Sequence, residues 1–279
     1  LMMFNLPIPD GTTAHAVGGT LIALLLGPYA ACIAISVALF IQAIIFGDGG
    51  ILSFGANCFN IAFILPFTGF FIYKILNKIH LSPFYHKFTI FLSAYISINL
   101  AAFFTALELG IQPLLFVDNL GQPLYCPYPL WISIPAMALS HLTIAGIAEG
   151  LFTLSLYLFI LKTSPNIIYD SQQIKLNSIF SLLAFLIIIS PLGLIAEGTA
   201  WGEWAPEEIL NDTSSGVPLG FIPEKLLNGF NYEAFFPDYT MSGTTDILAY
   251  IASAIIGVAL LIIIFKILGN IIYAKKQSL

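Results

Sequence analysis

Imidazole suits late first-row divalent ions better than any other side chain, and four histidines are present. His15 lies in PIPDGTTAHAVGG, residues 7–19, where a Pro- and Gly-rich turn runs into an apolar stretch. Asp10 or Thr12 is placed to cap a helix there, which puts His15 in that helix's first turn. Gly18 and Gly19 are small enough to let another backbone approach. On the residues alone, His15 is either a metal ligand or a hydrogen-bonded packing group. A second polar group lies in GDGGILSFGANCFNIAF, residues 47–63, where Asn57 and Asn60 stand three apart on one helical face. Their amides serve as hydrogen-bonding glue between helices or as lining and support for an ion site. A third group is HLTIAGIAEGLFT, residues 141–153. On a regular helix His141 and Glu149 are about 12 Å apart, too far to share an ion. Glu149 then falls toward the cytoplasmic half, which favours a structural or subunit-coupling role over metal binding.

Catalytic signatures are missing: the sequence has no GxxxxGK[ST], no HExxH and no GxSxG. Three cysteines without CxxC spacing indicate neither a disulfide framework nor a zinc site, and read as packing residues. Nine lysines, no arginine and a net charge of -6 are the wrong balance for nucleic acid.

The elements that must carry these residues are membrane helices. Of 279 residues 58% are hydrophobic and 9% charged, whereas soluble domains run near one quarter charged. Seven apolar runs stand out: 15–26, 29–46, 55–74, 88–108, 132–161, 177–196 and 247–266. All but the first have the length of about 20 residues that a hydrocarbon core requires. The expected fold is an all-α integral membrane bundle of about seven transmembrane helices with one acidic extracytoplasmic loop, 197–245. If residues 15–26 also cross and the N-terminus is outside, Lys74, Lys78, Lys87, Lys162, Lys175, Lys266, Lys275 and Lys276 all fall inside, as the positive-inside rule requires. Lys225 is then the one outer lysine. The outer loop, with Trp201 and Trp204, is expected to form a small ordered cap with little core. The polar segment 162–176 is the expected domain boundary. LMMFNLPIPDG offers no signal peptide and reads as the tail of a helix, so the sequence is expected to be a fragment.

Taken together and in this order, PIPDGTTAHAVGGTLIALLLGP, FGDGGI..FGANCFN and HLTIAGIAEG resemble the CbiM/NikM family, the substrate-capturing membrane components of energy-coupling-factor cobalt and nickel transporters. Residues 164–279, with WGEW and FFPDY, resemble a fused version of the small CbiN/NikN-type partner. The resemblance implies two domains, 1–163 and 164–279, no enzyme activity and no permanently bound cofactor. It implies capture of Co2+ or Ni2+ at the outer face of the cell membrane, with the C-terminus in the cytoplasm. The implied partners are a CbiQ-like transmembrane coupling subunit, CbiO-like cytoplasmic ATPases and membrane lipid. In that family an N-terminal Met-His segment supplies most of the nitrogen ligands, and by resemblance His15 completes the set. Asp10, Thr13, Asn57 and Asn60 line or support the site. No histidine follows Met2-Met3, so the sequence as it stands is expected to bind metal poorly or not at all. Two other readings remain: a membrane enzyme, which needs a His, Cys or carboxylate beside His15, and a multi-pass scaffold, which no ion would stabilise.

Overall fold

The computed structural model describes residues 5–7, 13–79, 82–165, 168, 176–196, 199–230 and 232–277. Asp10 and Thr12 lie outside the described residues. The first elements are two short antiparallel strands, β1 (Asn5–Pro7) and β2 (Thr13–His15), with Asn5 opposite His15. Helix α1 (Gly19–Leu26) follows. This corrects the expectation that His15 sits in a helical first turn: it ends a strand instead. Gly18 takes a left-handed conformation, φ 72°, open to glycine at little cost, and the first helical hydrogen bond runs from Ile22 N–H to the Gly18 carbonyl. At eight residues, α1 is about 12 Å long and cannot by itself span a core of about 30 Å. The run 15–26 is therefore an extended segment followed by a half-length helix.

Gly27, at φ 80°, ends α1, and Pro28 opens the next helix, where its missing N–H costs nothing. Helices α2 (Pro28–Phe46), α3 (Phe54–Leu76), α4 (Pro83–Leu115) and α5 (Leu130–Thr163) are each long and apolar enough to cross a membrane. Helix α6 (Leu176–Ile189) continues as a 3-10 turn, Ser190–Ile195, a shorter apolar stretch. Helix α7 (Asp246–Gln277) supplies the fifth span-length segment, Asp246–Ile271. The molecule is an all-α membrane protein.

The central helix is α4, packed against α3 on one side and α5 on the other. Its buried face is built from Ser93, Ala94, Ser97, Ala101, Ala102 and Ala106, small residues that let backbones come close where no water drives helices together. α1 sits within the bundle against α2, α3, α4 and α5. At Gly69 of α3 the contact is so close that a Cβ would lie 2.2 Å from the Thr20 hydroxyl. Ile33, Phe40, Phe71, Trp131 and Ile188 remain exposed, the composition of a lipid-facing surface.

Three helices contain a π-helical turn: Gln42–Phe46 in α2, Cys58–Ile64 in α3 and His141–Ala145 in α5. Such turns recur at functional sites, and the carbonyls they displace need partners. In α5 the Tyr95 hydroxyl donates to the Leu142 carbonyl at 2.8 Å. Gly146 closes that turn with its N–H on the His141 carbonyl, and a Cβ there would lie 2.3 Å from the same oxygen. In α2 the carbonyls of Ile44 and Ile45 accept from the Tyr232 hydroxyl at 3.0 Å and the Phe236 N–H at 2.9 Å. The loop before α7 thus docks on the widened turn of α2, where Asp48 also accepts from Gln42 and from the Tyr239 hydroxyl.

The loop between α6 and α7 is ordered where it is described. Ile209 is fully buried, and Tyr128, Trp201 and Trp204 form a cluster with ring centroids 5.0–5.9 Å apart. The Trp201 indole donates to Ser214 at 2.8 Å and the Tyr128 hydroxyl to Asp212. A Cβ on Gly202, at φ 101°, would meet Leu109 of α4 at 2.8 Å, so this corner is pressed against the bundle.

Candidate metal-capture site

Six parts of the chain line a cavity of about 240 Å³: β2 and the residues after it, the turn before α3, α3, α4, α5, and the loop corner Ala200–Glu203. His15 lines it from β2 and His141 from the π turn of α5, while Asn57, Asn60 and Glu108 line it from α3 and α4. β2 packs directly on the π turn, with Ala14 against Ile144 and Ala145.

Glu149 determines where His15 stands. It is fully buried, and its carboxylate accepts from Val17 N–H at 2.8 Å and from Gly18 N–H at 2.9 and 3.1 Å. The Gly18 N–H is one of the donors that the start of a helix leaves without partners, and a carboxylate at a helix N-terminus is favoured by the dipole as well. Spacing on a regular helix puts Glu149 away from the entrance; the structure instead brings it to the residue two places beyond His15.

His141 is oriented from the opposite side. Its Nδ1 lies 2.9 Å from the Met137 carbonyl, which can only accept, and 3.0 Å from the Ser140 hydroxyl. In the neutral ring Nδ1 therefore carries the proton, leaving Nε2 with a free lone pair, the arrangement of a ligating imidazole.

Asn57 and Asn60 both reach the cavity, by different means. The Asn57 amide donates to the Gly49 carbonyl at 2.9 Å, tying down the 47–50 turn. Asn60, in the π turn of α3, donates to Glu108 at 2.7 Å. Thr13 contributes backbone to β2. Among the described residues no group of three or more His, Cys, Asp or Glu is close enough to hold an ion.

Glu203 comes from the loop rather than the bundle. The cavity leaves its side chain accessible, yet protein surrounds the carboxyl: burial pushes it above the usual carboxylate range, the His15 imidazole opposes that push, and Asp48 adds to it. Sequence reasoning missed Glu203 and Glu108. Glu108 carried a readable signal, since it is the lone acid within the long apolar run of α4.

Span-length helices around a histidine-lined cavity define an integral membrane protein with an internal chamber. Residues 1–167 match the family model described as CbiM, cobalt uptake substrate-specific transmembrane region, and residues 176–274 match the PDGLE domain. The chain belongs to the CbiM family and is a component of a metal transporter, not an enzyme. It is 45% identical to a probable fused nickel transport protein, LarMN, of Lactiplantibacillus plantarum, over 95% of this chain and 80% of the relative. It is 42% identical to the fused nickel transport protein NikMN of Rhodobacter capsulatus, over 94% of this chain and 80% of the relative. A crystal structure titled as a truncated transition metal transporter superposes with a TM-score of 0.54 at 53% identity, covering 58% of this chain and 74% of the other.

Proposed function

We propose that this protein captures Co2+ or Ni2+ at the outer membrane face for an ATP-driven energy-coupling-factor importer, with the ion as cargo. One observation carries the reading: the His15 imidazole lines an internal cavity from a strand whose following residues Glu149 anchors through the Val17 and Gly18 amides. His141, with Nε2 free, is the second imidazole of that cavity. Nitrogen donors of this kind favour Co2+ and Ni2+ over Mg2+ and Ca2+. Asn57 and Asn60 serve as lining or support, and Thr13 contributes through the β2 backbone. Similarity to LarMN, a probable fused nickel transport protein, and to NikMN, a fused nickel transport protein, supports the cargo class.

The working units are residues 1–163, which hold the ion, and 164–279, which contribute the loop corner at Trp201–Glu203. Lysine placement supports an outer N-terminus and a cytoplasmic C-terminus in the cell membrane. Energy comes from CbiO-like ATPases through a CbiQ-like coupling subunit, because the chain carries no P-loop.

The test is thermal unfolding, in detergent with and without Ni2+ or Co2+, of the protein carrying the N-terminal Met-His segment that the family resemblance implies; the sequence as it stands is expected to respond weakly or not at all. A ligand at about 100 times its Kd stabilises the folded state by about 2.7 kcal/mol. The melting temperature should rise with the ion, and His15→Ala should remove the rise. A wild type that the ion leaves unchanged would favour a scaffold.

A further inference from the structure

The loop corner brings an acid to the chamber, and the residues just before it fix where that acid stands. Trp201 packs against Ala102 and Ala106 of α4 and Met137 of α5, and its indole donates to Ser214 at 2.8 Å. Gly202 takes φ 101°, open to glycine at little cost, and a Cβ there would lie 2.8 Å from a Leu109 methyl carbon. The Glu203 N–H then closes the turn on the Ala200 carbonyl at 2.9 Å. Held in this way, Glu203 lines the same cavity as His15 and His141.

Its carboxylate is accessible and unengaged, whereas the acids around it are occupied. Asp48 accepts from Gln42 and the Tyr239 hydroxyl, Glu208 from the Ala205 N–H at 2.8 Å, and Asp212 from the Tyr128 hydroxyl. Glu108, the other carboxylate of the chamber, accepts from Asn60 at 2.7 Å. Among the described residues the one ion pair joins Lys225 to Glu224, so Glu203 meets no cation of the protein. The charges it does feel are those of His15, which favours its ionised form, and Asp48, which opposes it. Imidazoles ligate as neutral groups, so a divalent ion at His15 keeps both positive charges. In a chamber whose lining is mostly apolar, that charge is costly unless an anion stands near.

We propose that Glu203 is the counter-charge of the captured cation, an anion that the C-terminal unit places in the chamber of His15 to hold the divalent ion by charge. This rests on the capture reading for the cargo and for its place at His15. Direct ligation is not required of Glu203. Among the described residues no three His, Cys, Asp or Glu are close enough to share an ion, whereas charge acts over several ångströms, and more strongly where water is scarce. Affinity is then divided between the two units of the chain: residues 1–163 supply nitrogen and residues 164–279 supply charge.

The test is calorimetric titration with Ni2+, beside thermal unfolding without the ion, of the full-length protein in detergent with its N-terminal Met-His segment. Glu203→Gln, equal in size and without charge, should weaken Ni2+ binding by about tenfold or more. Its melting temperature without the ion should be no lower than that of wild type, since the carboxylate makes no bond that the amide would lose and Asp48 repels its charge. Glu203→Asp, which keeps the charge, should bind Ni2+ within about threefold of wild type. The proposal is overturned if Glu203→Gln binds Ni2+ as tightly as wild type, or if Glu203→Gln and Glu203→Asp lose affinity equally, which would tie the effect to side-chain shape. It is also overturned if Glu203→Gln melts lower without the ion, which would make Glu203 a structural residue. Failure of the capture reading looks different: Ni2+ would then bind equally well to His15→Ala, while Glu203→Gln still weakened it.

Discussion

Replacing Glu149 with glutamine tests whether the position of His15 depends on a buried carboxylate. The wild-type side chain accepts from two backbone amides through contacts of 2.8, 2.9 and 3.1 Å. Glutamine keeps one acceptor oxygen and turns an NH2 group toward an N–H that needs an acceptor. A charge-assisted bond is lost and a buried donor is left unsatisfied, at a cost of about 2–4 kcal/mol after the surviving bond weakens. That is a local cost, because the amides concerned hold the turn between β2 and α1 and no other segment. Each 1.4 kcal/mol is tenfold in an equilibrium, so the opening that exposes Val17 and Gly18 should become about 30- to 700-fold more frequent. Hydrogen exchange by mass spectrometry, read on a peptide covering residues 14–21, measures this directly. Ni2+ affinity should fall in the same variant, since the free energy spent re-ordering the turn is withdrawn from binding. Exchange within twofold of wild type would refute the reasoning, because Glu149 would then not be holding the turn.

Other expectations follow from the same structure. Tyr239→Phe removes a hydroxyl that bonds Asp48 and lies 3.0 Å from the Gln42 amide; it should cost about 1–3 kcal/mol and accelerate proteolytic cleavage between residues 228 and 245. Asp238→Asn addresses pH. Burial first and Asp48 second raise the Asp238 carboxyl above its ordinary range, so its charged form opposes folding at neutral pH and the penalty disappears as pH falls through the folded value toward about 3.9. The variant should melt higher than wild type at pH 7, with the gap closing toward pH 4. A gap equal at both pH values would trace instead to the left-handed backbone at this position, φ 51°, which asparagine tolerates. Gly146→Ala puts a methyl 2.3 Å from the His141 carbonyl and 2.6 Å from the Asn99 amide; overpacking of about 1–3 kcal/mol should lower the melting temperature and weaken Ni2+ binding through a displaced His141.

The long helices were readable because a bilayer imposes one requirement, an uninterrupted apolar run; α2, α3 and α5 end within a few residues of the expected runs, whereas α4 and α7 extend past them, α4 at both ends and α7 at its C-terminus. Asn57 and Asn60 were readable for a related reason: polar side chains within such runs have to face the bundle interior. The β2 strand was not, since Asp10, Thr12 and Thr13 before an apolar stretch carry the same signature as a helix cap. Only the contact with Glu149, 131 residues away from Gly18, shows where the helix begins. That His15 and His141 line one cavity was hidden in the same way, because it depends on how β2 docks on α5 and not on spacing within either element. Glu203 could not be assigned because a polar loop between two spans looks the same whether it rests on the bundle or stands away from it.

The corner at Trp201–Glu203 shares a polypeptide with the histidines it faces. Uncovering the guest chamber is therefore a first-order rearrangement whose rate does not change with how much protein the bilayer contains. A cover supplied as a separate molecule would have to be found again by diffusion after each departure, whereas a tethered one stays at an effective concentration set by chain length. Dilution in excess lipid should leave turnover per molecule untouched on this account; under the proposed function, any sensitivity to it would come from a separate coupling subunit.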